Sequence, residues 1–545
     1  MTPALPEPLV AAARTLRSTP LATLFERDRD RARGLTLAWN DWRIDLSRER
    51  LTPEVLGGLA DHARASGLRR WIEAMFAGEK VNVSESRAVL HPALRDPGRS
   101  PLSVDGTDAR AALRGARDRS AAWAARIHDG AARGATGAPI RHVLHLGIGG
   151  SDLGPRLVVD ALRRPGAPGP GVTFVANVDP AALARALAPL DAASTLVVIA
   201  SKSFGTQETM ENAKAVIRWL DAALPGTRPA ACQVLAATAR PDLARACGLP
   251  EDAILPMHDG VGGRFSLWSS VGVTIAAVLG REAHLALLDG AHAMDRHFRE
   301  TPFETNLPVA LALAGLWNAS ALEHRQRIVV PYAEALALLP AYLQQLSLES
   351  NGKRVTRDGE PVAGRTAPAL WGGVGTDGQH AFFQWLHQGT DQVPVEFIVP
   401  ALPAGDDRDR HALLVANALA QAQALALGRP AAAIEAELAS TGLSGAALAR
   451  AAAVRACPGD RPSTTILVPR IDAATLGALL ALYEHRNFVE GILWGVNPFD
   501  QFGVELGKIL AAPIAGALAG GRPLPADCDP STRALVDHVA ALMRR

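Results

Sequence analysis

Cysteine is scarce in this chain. Four cysteines occur among 545 residues, Cys232, Cys247, Cys457 and Cys528, and none belongs to a CxxC or CxH pair. A disulfide framework or a structural zinc site requires closely spaced cysteines or histidines. The wide spacing of the four cysteines argues against a disulfide framework and against a zinc site. It fits reduced thiols in a cytoplasm. We therefore predict a cytoplasmic protein without a structural zinc site, and we expect no other metal ion or cofactor.

An excess of one charge is lacking as well. The chain has 56 basic and 55 acidic residues, a formal net charge of +1 and no run of five like charges. Nucleic acids are bound by clustered positive charge, so a nucleic-acid partner is not expected. No uninterrupted apolar run reaches about 18 residues, so no membrane span is expected. The N-terminus, where prolines break a short apolar stretch, does not match a secretory signal.

What the sequence does contain is a repeated alternation of short apolar runs with helical patterns. Its length exceeds what one core supports, so two or more packing units are expected. The apolar runs lie at His142–Leu146, Val172–Val178, Thr195–Ala200, Val234–Ala237 and Ile254–Met257, then at Ile328–Tyr332, Val395–Pro400 and Thr465–Val468. Continuous apolar strands between helices are typical of buried parallel sheets. The pattern predicts an α/β protein with two sandwiches.

The domain limits follow from these two series. The first hundred residues alternate short helical patterns with loops and lack β-rich runs. We predict a helical N-terminal arm at 1–120, two α/β domains at 121–285 and 286–515, and a C-terminal tail at 516–545. The alanine-rich segments Arg410–Gly428 and Ala431–Ala453 are expected to be packing helices. Ligands of open α/β sheets bind where strands end and helices begin, so those loops are the candidate sites.

The first such loop is Gly147–Asp152, with the sequence GIGGSD, directly after a predicted strand. Asp152 stands where a dinucleotide fingerprint needs its third glycine, and no lysine follows as in a Walker A loop. A bare backbone before a helix suits a sugar hydroxyl or an anion. A tight turn that needs positive φ explains the glycines equally well. Gly150 and Ser151 are the candidate contacts.

The second loop is rich in hydroxyl groups. It is Ser201-Lys202-Ser203-Phe204-Gly205-Thr206, followed by a predicted helix from Gln207. Hydroxyl and backbone donors, an ammonium group and a helix N-terminus can hold a phosphate without a metal. Ordinary N-capping needs one hydroxyl and leaves the other polar groups unexplained. The pattern favours a phosphate site.

Groups able to move a proton occur farther along the chain. Gln345 and Glu349 are spaced i, i+4, and Glu349 falls in the last turn before an Asn-Gly stop. The negative end of the helix dipole disfavours a carboxylate there, which suits a general base. Arg264 is a candidate for stabilising an oxyanion. His380 and His387, predicted to share one helical face, and Lys508 have equally ordinary structural explanations when taken singly.

Together these segments resemble the glucose-6-phosphate isomerase, or phosphoglucose isomerase, family. Matching motifs run in order from about residue 75 to 515. They are Gly78–Asn82, Arg87–His91, Gly147–Pro155 (GIGGSDLGP), Ser201–Met210 (SKSFGTQETM), Val261–Trp268 (VGGRFSLW), Glu349–Lys353 (ESNGK), Gly378–Phe382 (GQHAF), His387–Thr390 (HQGT) and Asp500–Lys508 (DQFGVELGK). So many motifs in one order are highly specific.

The resemblance implies a fold and a reaction. It implies two sugar isomerase (SIS) type three-layer sandwiches with parallel sheets, and reversible isomerisation of glucose 6-phosphate and fructose 6-phosphate in glycolysis and gluconeogenesis. The reaction proceeds by ring opening and then proton transfer through an enediolate. The family is dimeric, and its ring-opening histidine comes from the partner subunit.

The resemblance also implies a role for each matched residue. Glu349 would be the base, Arg264 would stabilise the enediolate, and His380 and Lys508 would open and close the ring. The remaining residues would contact substrate: Gly150, Ser151, Gln345 and Gln501 on the sugar side, and Ser201, Lys202, Ser203 and Thr206 at the phosphate. Gly205 departs from the family, which usually has threonine there, so one hydroxyl is missing from the phosphate loop. Two further departures remove no proposed catalytic group. Gly373-Val374 replaces a usual Glu-Pro, and Leu348 replaces a common methionine.

Three alternatives remain open at this stage. A sugar-phosphate sensor on the same fold would keep the phosphate loop without needing Glu349, His380, Arg264 and Lys508 together. An NAD-dependent oxidoreductase is suggested by the strand–glycine–helix opening, but Asp152 breaks its fingerprint. The third alternative is an isomerase that acts on another aldose phosphate.

Overall fold

The strands form two main sheets, seen here in a computed structural model that describes residues 5–544. Within those residues the strands, numbered along the chain, are β1 (Thr36–Trp39), β2 (Trp42–Arg48), β3 (Ser103–Val104), β4 (Thr107–Asp108), β5 (His142–Leu146), β6 (Gly171–Val175), β7 (Thr195–Ala200), β8 (Val234–Thr238), β9 (Ile254–Pro256), β10 (Gln326–Pro331), β11 (Ala369–Gly372), β12 (Val395–Pro400) and β13 (Ser463–Val468). All eight strands expected after residue 141 are present.

Helices fill most of the remaining chain. They are α1 (Glu7–Ser18), α2 (Leu21–Arg27), α3 (Arg31–Gly34), α4 (Pro53–Ala65), α5 (Leu68–Phe76), α6 (His91–Arg95), α7 (Ala109–His128), α8 (Leu153–Leu162), α9 (Pro180–Leu187), α10 (Gln207–Ala223), α11 (Pro229–Gln233), α12 (Pro241–Ala246), α13 (Val273–Leu279), α14 (Arg281–Glu300), α15 (Leu307–Leu316), α16 (Leu339–Asn351), α17 (Gly375–Gln379), α18 (Phe383–Gln388), α19 (Arg408–Leu427), α20 (Ala431–Ala439), α21 (Gly445–Arg455), α22 (Ala473–Leu493), α23 (Glu505–Leu518) and α24 (Pro530–Met543).

The first sheet is entirely parallel, with the strand order β6-β5-β7-β8-β9. Successive side chains of a strand point to opposite faces. Leu144 and Val197 accordingly pack in one core with α10, whereas Val143 and Leu196 pack in another with α7 and α13. Both faces are covered by helices, which explains why these strands are rich in apolar residues.

The second sheet has the order β1-β2-β13-β12-β10-β11. Strands β10 to β13 are parallel, and β2 joins β13 antiparallel. On one face Phe397 lies in a core with α18 and α19. On the other face Arg486 of α22 pairs with Glu396 of β12 at 2.6 Å, and Arg327 of β10 pairs with Glu490 at 2.8 Å. Helix α22 is buried on all sides from Thr475 to Leu493.

The predicted α/β class with two helix-covered sheets is confirmed, with local differences. The N-terminal segment is mostly helical but also supplies β1 and β2, so the expectation that it lacks strands is wrong. Strand β1 is short and lies at the sheet edge, where a long apolar run is not required. Strand β2 lies between β1 and β13 and alternates apolar with polar residues, so it has no continuous apolar run either. Strand β11 was also missed. The predicted helix Ala431–Ala453 is two helices, because Gly442 takes a left-handed conformation with φ +87° between them.

Two compact units divide the chain, one up to Pro498 and one from Phe499 to the C-terminus. The second unit contains α23 and α24. The domain limits at 120, 285 and 515 stay predictions. Among residues 5–544, no helix is both long and apolar enough to cross a membrane.

Candidate active site

The two loops singled out in the sequence leave neighbouring strands at one edge of the first sheet. Strand β5 lies between β6 and β7, and Leu146 pairs with Ile199 close to the carboxyl ends of β5 and β7. From β5 the chain crosses to β6 on one side, and later returns to β7 on the other. The loops after β5 and β7 therefore diverge at a topological switch point, where ligands bind in open α/β sheets.

Two glycines of the loop after β5 occupy positions where a larger residue would be strained or would clash. Gly149 has φ +58°, and a Cβ atom on Gly150 would lie 2.0 Å from the carbonyl oxygen of Gly263. No residue with a side chain fits at Gly150, so the loop packs directly on the backbone next to Arg264. Beneath the loop, Nε2 of the buried His145 lies 2.7 Å from the carbonyl oxygen of Ser151. The glycines thus bring the loop against the segment that carries Arg264.

Glu349 stands in the last turn of α16, as predicted. The amide Nε2 of Gln345 donates to Oε2 of Glu349 at 3.1 Å. The same Nε2 would lie 2.9 Å from a Cβ atom placed on Gly149. Gln345 therefore lies between the glycine loop and the carboxylate, while the Glu349 side chain keeps 20% of its surface exposed.

Arg264 is held on three sides. Its side chain is buried, and its Nη1 atom lies 3.4 Å from Oε2 of Glu349. Its Nε donates to the Ser350 hydroxyl at 2.5 Å, and its Nη2 donates to the carbonyl of Pro498 at 2.6 Å. A buried guanidinium with fixed partners keeps its direction when charge develops nearby. The arrangement places a fixed cation beside a partly exposed carboxylate.

The hydroxyl loop after β7 does not act as an ordinary helix cap. Thr206 occupies the N-cap position of α10, yet among residues 5–544 no side-chain hydrogen bond caps that helix. The Ser201 hydroxyl instead donates to Oγ1 of Thr206 at 3.2 Å, and the Gly205 N–H donates to Oγ of Ser203 at 3.3 Å. Hydroxyls outside the capping role and a free helix start are what an anion site needs.

Lys202 is turned toward the loop that leads to Arg264. Its Nζ donates to the carbonyl of Asp259 at 2.7 Å. Burial, with the Arg87 guanidinium as the second cause, lowers the pKa of Lys202 from its usual value. Arg87 is itself paired with Glu85 at 2.9 Å, so charges of both signs lie near this loop.

The other predicted residues lie on other segments of the chain. His380 is exposed at the end of α17, after β11. It does not share a helical face with His387, because the two lie on separate short helices, and His387 is hydrogen-bonded to Gln421 at 2.8 Å. Gln501 and Lys508 belong to the second unit, where Lys508 is exposed on α23.

Two residues near the site were not predicted. Ser350 accepts the hydrogen bond of Arg264, and its position directly after Glu349 in the ESNGK motif was the available signal. His145 supports the glycine loop from a strand, and no sequence signal separates it from an ordinary core histidine. Among residues 5–544, no group of three or more His, Cys, Asp or Glu side chains is arranged to hold a metal ion.

Comparisons with known proteins agree with this geometry. The phosphoglucose isomerase family profile matches residues 45–536. The chain is 44% identical over 539 residues to a glucose-6-phosphate isomerase of Xanthobacter autotrophicus, which covers 98% of this chain and 97% of the relative. It is 44% identical over 531 residues to a glucose-6-phosphate isomerase of Caulobacter vibrioides, covering 97% of this chain and 98% of that one.

A solved structure gives the same result. The crystal structure of a glucose-6-phosphate isomerase from Chlamydia trachomatis superposes with a TM-score of 0.82 at 30% identity and covers 98% of each chain. The resemblance found in the motifs is thereby confirmed along almost the whole length, and the two sandwiches are of the sugar isomerase type. An oxidoreductase is set aside. On this match of family profile, relatives and fold, the chain belongs to the phosphoglucose isomerase family.

Proposed function

We infer that the cluster around Glu349 and Arg264 is the active site at which this chain interconverts glucose 6-phosphate and fructose 6-phosphate. The single observation that carries the assignment is the carboxylate of Glu349 beside the buried Arg264 guanidinium, 3.4 Å away. Gln345 donates to the same carboxylate and lies against the glycine loop. Gln345, Gly150 and Ser151 would contact the sugar. The conversion is an intramolecular aldose–ketose isomerisation.

The phosphate is held by the loop after β7. Ser201, Ser203 and Thr206 offer hydroxyls, and the uncapped start of α10 offers backbone N–H groups. Lys202 adds positive charge from the side of Asp259. The loop leaves the strand next to β5, so a phosphate there lies one strand away from the glycine loop. Binding energy from this remote group positions the reacting carbons.

Glu349 moves the proton. The open-chain aldose loses its C2 proton to the carboxylate, and the hydroxyl proton of O2 passes to O1. Glu349 then returns the first proton to C1 on the same face of the enediolate. A positioned general base contributes about 10²–10⁴-fold to the rate. Arg264 faces the same space and stabilises the negative charge on the enediolate oxygens.

His380 and Lys508 open and close the sugar ring, and Gln501 completes the substrate contacts. His380 is exposed and has no described contact with Glu349, which supports its action on the site of a second subunit. Exposed apolar side chains on α23, such as Leu506 and Ile509, also support a homodimer. The four cysteines are free thiols, which supports a reducing, cytoplasmic location.

The activity is tested on purified protein with fructose 6-phosphate, with the glucose 6-phosphate formed detected by a coupled dehydrogenase. We expect activity that a chelator does not change, and a loss of about 10²–10⁴-fold in Glu349→Gln. The matched control is Glu334→Gln, an exposed carboxylate outside the site, which should behave as wild type. If the wild-type protein binds fructose 6-phosphate without converting it, the alternative function of a sugar-phosphate sensor would be favoured. Full activity in Glu349→Gln would refute the assignment of Glu349 as the general base.

The subunit exchange is tested by co-expressing Glu349→Gln with His380→Ala. If His380 acts on the partner's site, each mixed dimer has one complete site. Recovery should reach about a quarter of wild-type activity, because half of the dimers are mixed. If His380 serves its own subunit, no mixed dimer has a complete site, and no recovery is expected.

A further inference from the structure

A second cavity lies away from the loops described above. It has a volume of about 580 Å³ and lies between α7 and α14, with residues 97–99 along one side. None of the proposed catalytic or substrate-contacting residues lines it. Its volume falls in the range of small-molecule sites, about 300–1,000 Å³. The cavity is therefore large enough for a metabolite of its own.

Four arginines surround this cavity without a carboxylate partner. Arg114 and Arg117 lie one turn apart on α7, Arg99 lies on the preceding loop, and Arg281 opens α14. In residues 5–544 none of the four has an acidic oxygen within 4 Å. Nearby arginines behave differently, since Arg110 on α7 pairs with Asp96.

The charge in the cavity is unbalanced as a result. Arg95 also lines it, but Asp295 and Glu484 already neutralise that guanidinium. Asp118 and Asp289 are the carboxylates of the lining, so the four unpaired arginines leave an excess of two positive charges. An anion with several negative oxygens would balance this excess.

The remaining lining is apolar and neutral. Ala121 and Ala124 of α7 face Leu285 and Leu288 of α14, and these small and aliphatic side chains leave the space open. Burial, with Arg117 as the second cause, lowers the pKa of His284 to about 4, so its imidazole is neutral at pH 7. In the described part of the chain, neither ring nitrogen of His284 makes a hydrogen bond.

We propose that this cavity binds an organic anion with two or more phosphate groups, at a site separate from the sugar-phosphate site. Guanidinium groups bind phosphate through paired, charge-assisted hydrogen bonds. The arginines come from three segments of chain, so they can hold more than one phosphate. The apolar floor and the neutral His284 would contact the carbon skeleton. The two arginines spaced i, i+3 on α7 supply the largest share of the binding.

The test is calorimetric titration of the full-length protein with inorganic pyrophosphate while the sugar-phosphate site is saturated with the substrate mixture. We expect one pyrophosphate per chain, bound about tenfold or more tightly than orthophosphate. The double variant Arg114→Ala/Arg117→Ala should weaken pyrophosphate binding at least about tenfold. The matched control is Arg164→Ala/Arg228→Ala, which removes two exposed, unpaired arginines outside the cavity and should change nothing.

Further measurements keep the result interpretable. If Arg114→Ala/Arg117→Ala fails to fold, Arg99→Ala/Arg281→Ala replaces it, because both rim arginines are exposed. Ser203→Ala/Thr206→Val should lose sugar-phosphate affinity but keep pyrophosphate binding, which separates this proposal from the proposed active site. Absence of pyrophosphate binding in the wild type, or binding unaffected by the cavity variants, would overturn the proposal. A changed oligomeric state in Arg114→Ala/Arg117→Ala would instead assign these arginines to an interface between copies of the chain.

Discussion

Nη1 of Arg264 lies 3.4 Å from Oε2 of Glu349, and the two residues are 85 positions apart in the chain. The guanidinium is buried, whereas the Glu349 side chain keeps 20% of its surface exposed. The pair places a fixed cation beside the carboxylate that we propose as the base.

Removing the cation should damage turnover more than binding. We expect Arg264→Ala to lower kcat by about 10²–10³-fold, because the enediolate charge loses its fixed partner. KM should change by no more than about threefold. Arg264→Lys keeps the charge but not the fork that reaches Ser350 and Pro498, so its kcat should be intermediate. Steady-state kinetics in both directions measure this, and a change confined to KM would argue against the enediolate role.

Ser350 should act through Arg264. Its hydroxyl accepts the Nε hydrogen bond at 2.5 Å and has no surface exposed. We expect Ser350→Ala to lower kcat by about tenfold, since one buried hydrogen bond to a charged group is lost.

The control for Ser350 is on the same helix. Ser347 is also buried and accepts a hydrogen bond from Arg327 at 3.2 Å. Ser347→Ala should lower thermal stability but leave kcat nearly unchanged. In the background of Arg264→Ala, Ser350→Ala should have little further effect on kcat, because both changes remove the same interaction. Additive losses would show that Ser350 acts independently of Arg264.

Gly205 should accept a threonine. A Cβ atom there would lie 3.6 Å from the carbonyl oxygen of Ser203, an ordinary contact, and the backbone is not left-handed. The added hydroxyl would face the phosphate loop, so Gly205→Thr should lower KM for fructose 6-phosphate about threefold to tenfold. Gly205→Val has the same shape without the hydroxyl and should show no such gain. If both substitutions lowered KM equally, the lower KM would result from a stiffer backbone and not from the added hydroxyl.

His145 should make stability depend on pH. Burial lowers the pKa of His145 from 6.5 to about 4, so the imidazole stays neutral in the folded protein while the unfolded chain binds a proton. The contribution of the neutral His145 to the free energy of unfolding is fully present above pH 6.5 and is lost as the pH falls toward 4. Between pH 6.5 and pH 4 this histidine should lower the free energy of unfolding by on the order of 3 kcal/mol.

The measurement is the midpoint of thermal unfolding between pH 7.5 and 4.5. The midpoint should fall less steeply with decreasing pH in His145→Gln than in the wild type, although this variant starts lower. His538→Gln removes an exposed histidine of α24 and should keep the wild-type slope. Parallel curves for wild type and His145→Gln would show that this histidine does not titrate in unfolding.

Much of the fold could be predicted because the local pattern and the tertiary environment agree. Strands β5, β7 and β12 match their predicted bounds, since each is rich in apolar residues and largely buried on both faces. Strands β1 and β11 escaped prediction because a short edge strand needs neither feature. Strand β2 pairs with β13, more than 400 residues later, and no local sequence pattern predicts such a distant partner.

The chain by itself determined the chemical groups and their local settings: a hydroxyl loop before a helix, a glycine loop after a strand, and a glutamate in a last helical turn. Local propensity and chain order are enough for these features, because they depend on neighbouring residues. The tertiary structure decided that Arg264 meets Glu349 and Ser350, that Gly150 packs on Gly263, and that four arginines surround one cavity without acidic partners. These relationships join residues far apart in the chain, so they arise only when the helices and sheets pack and fix distances that sequence spacing does not determine.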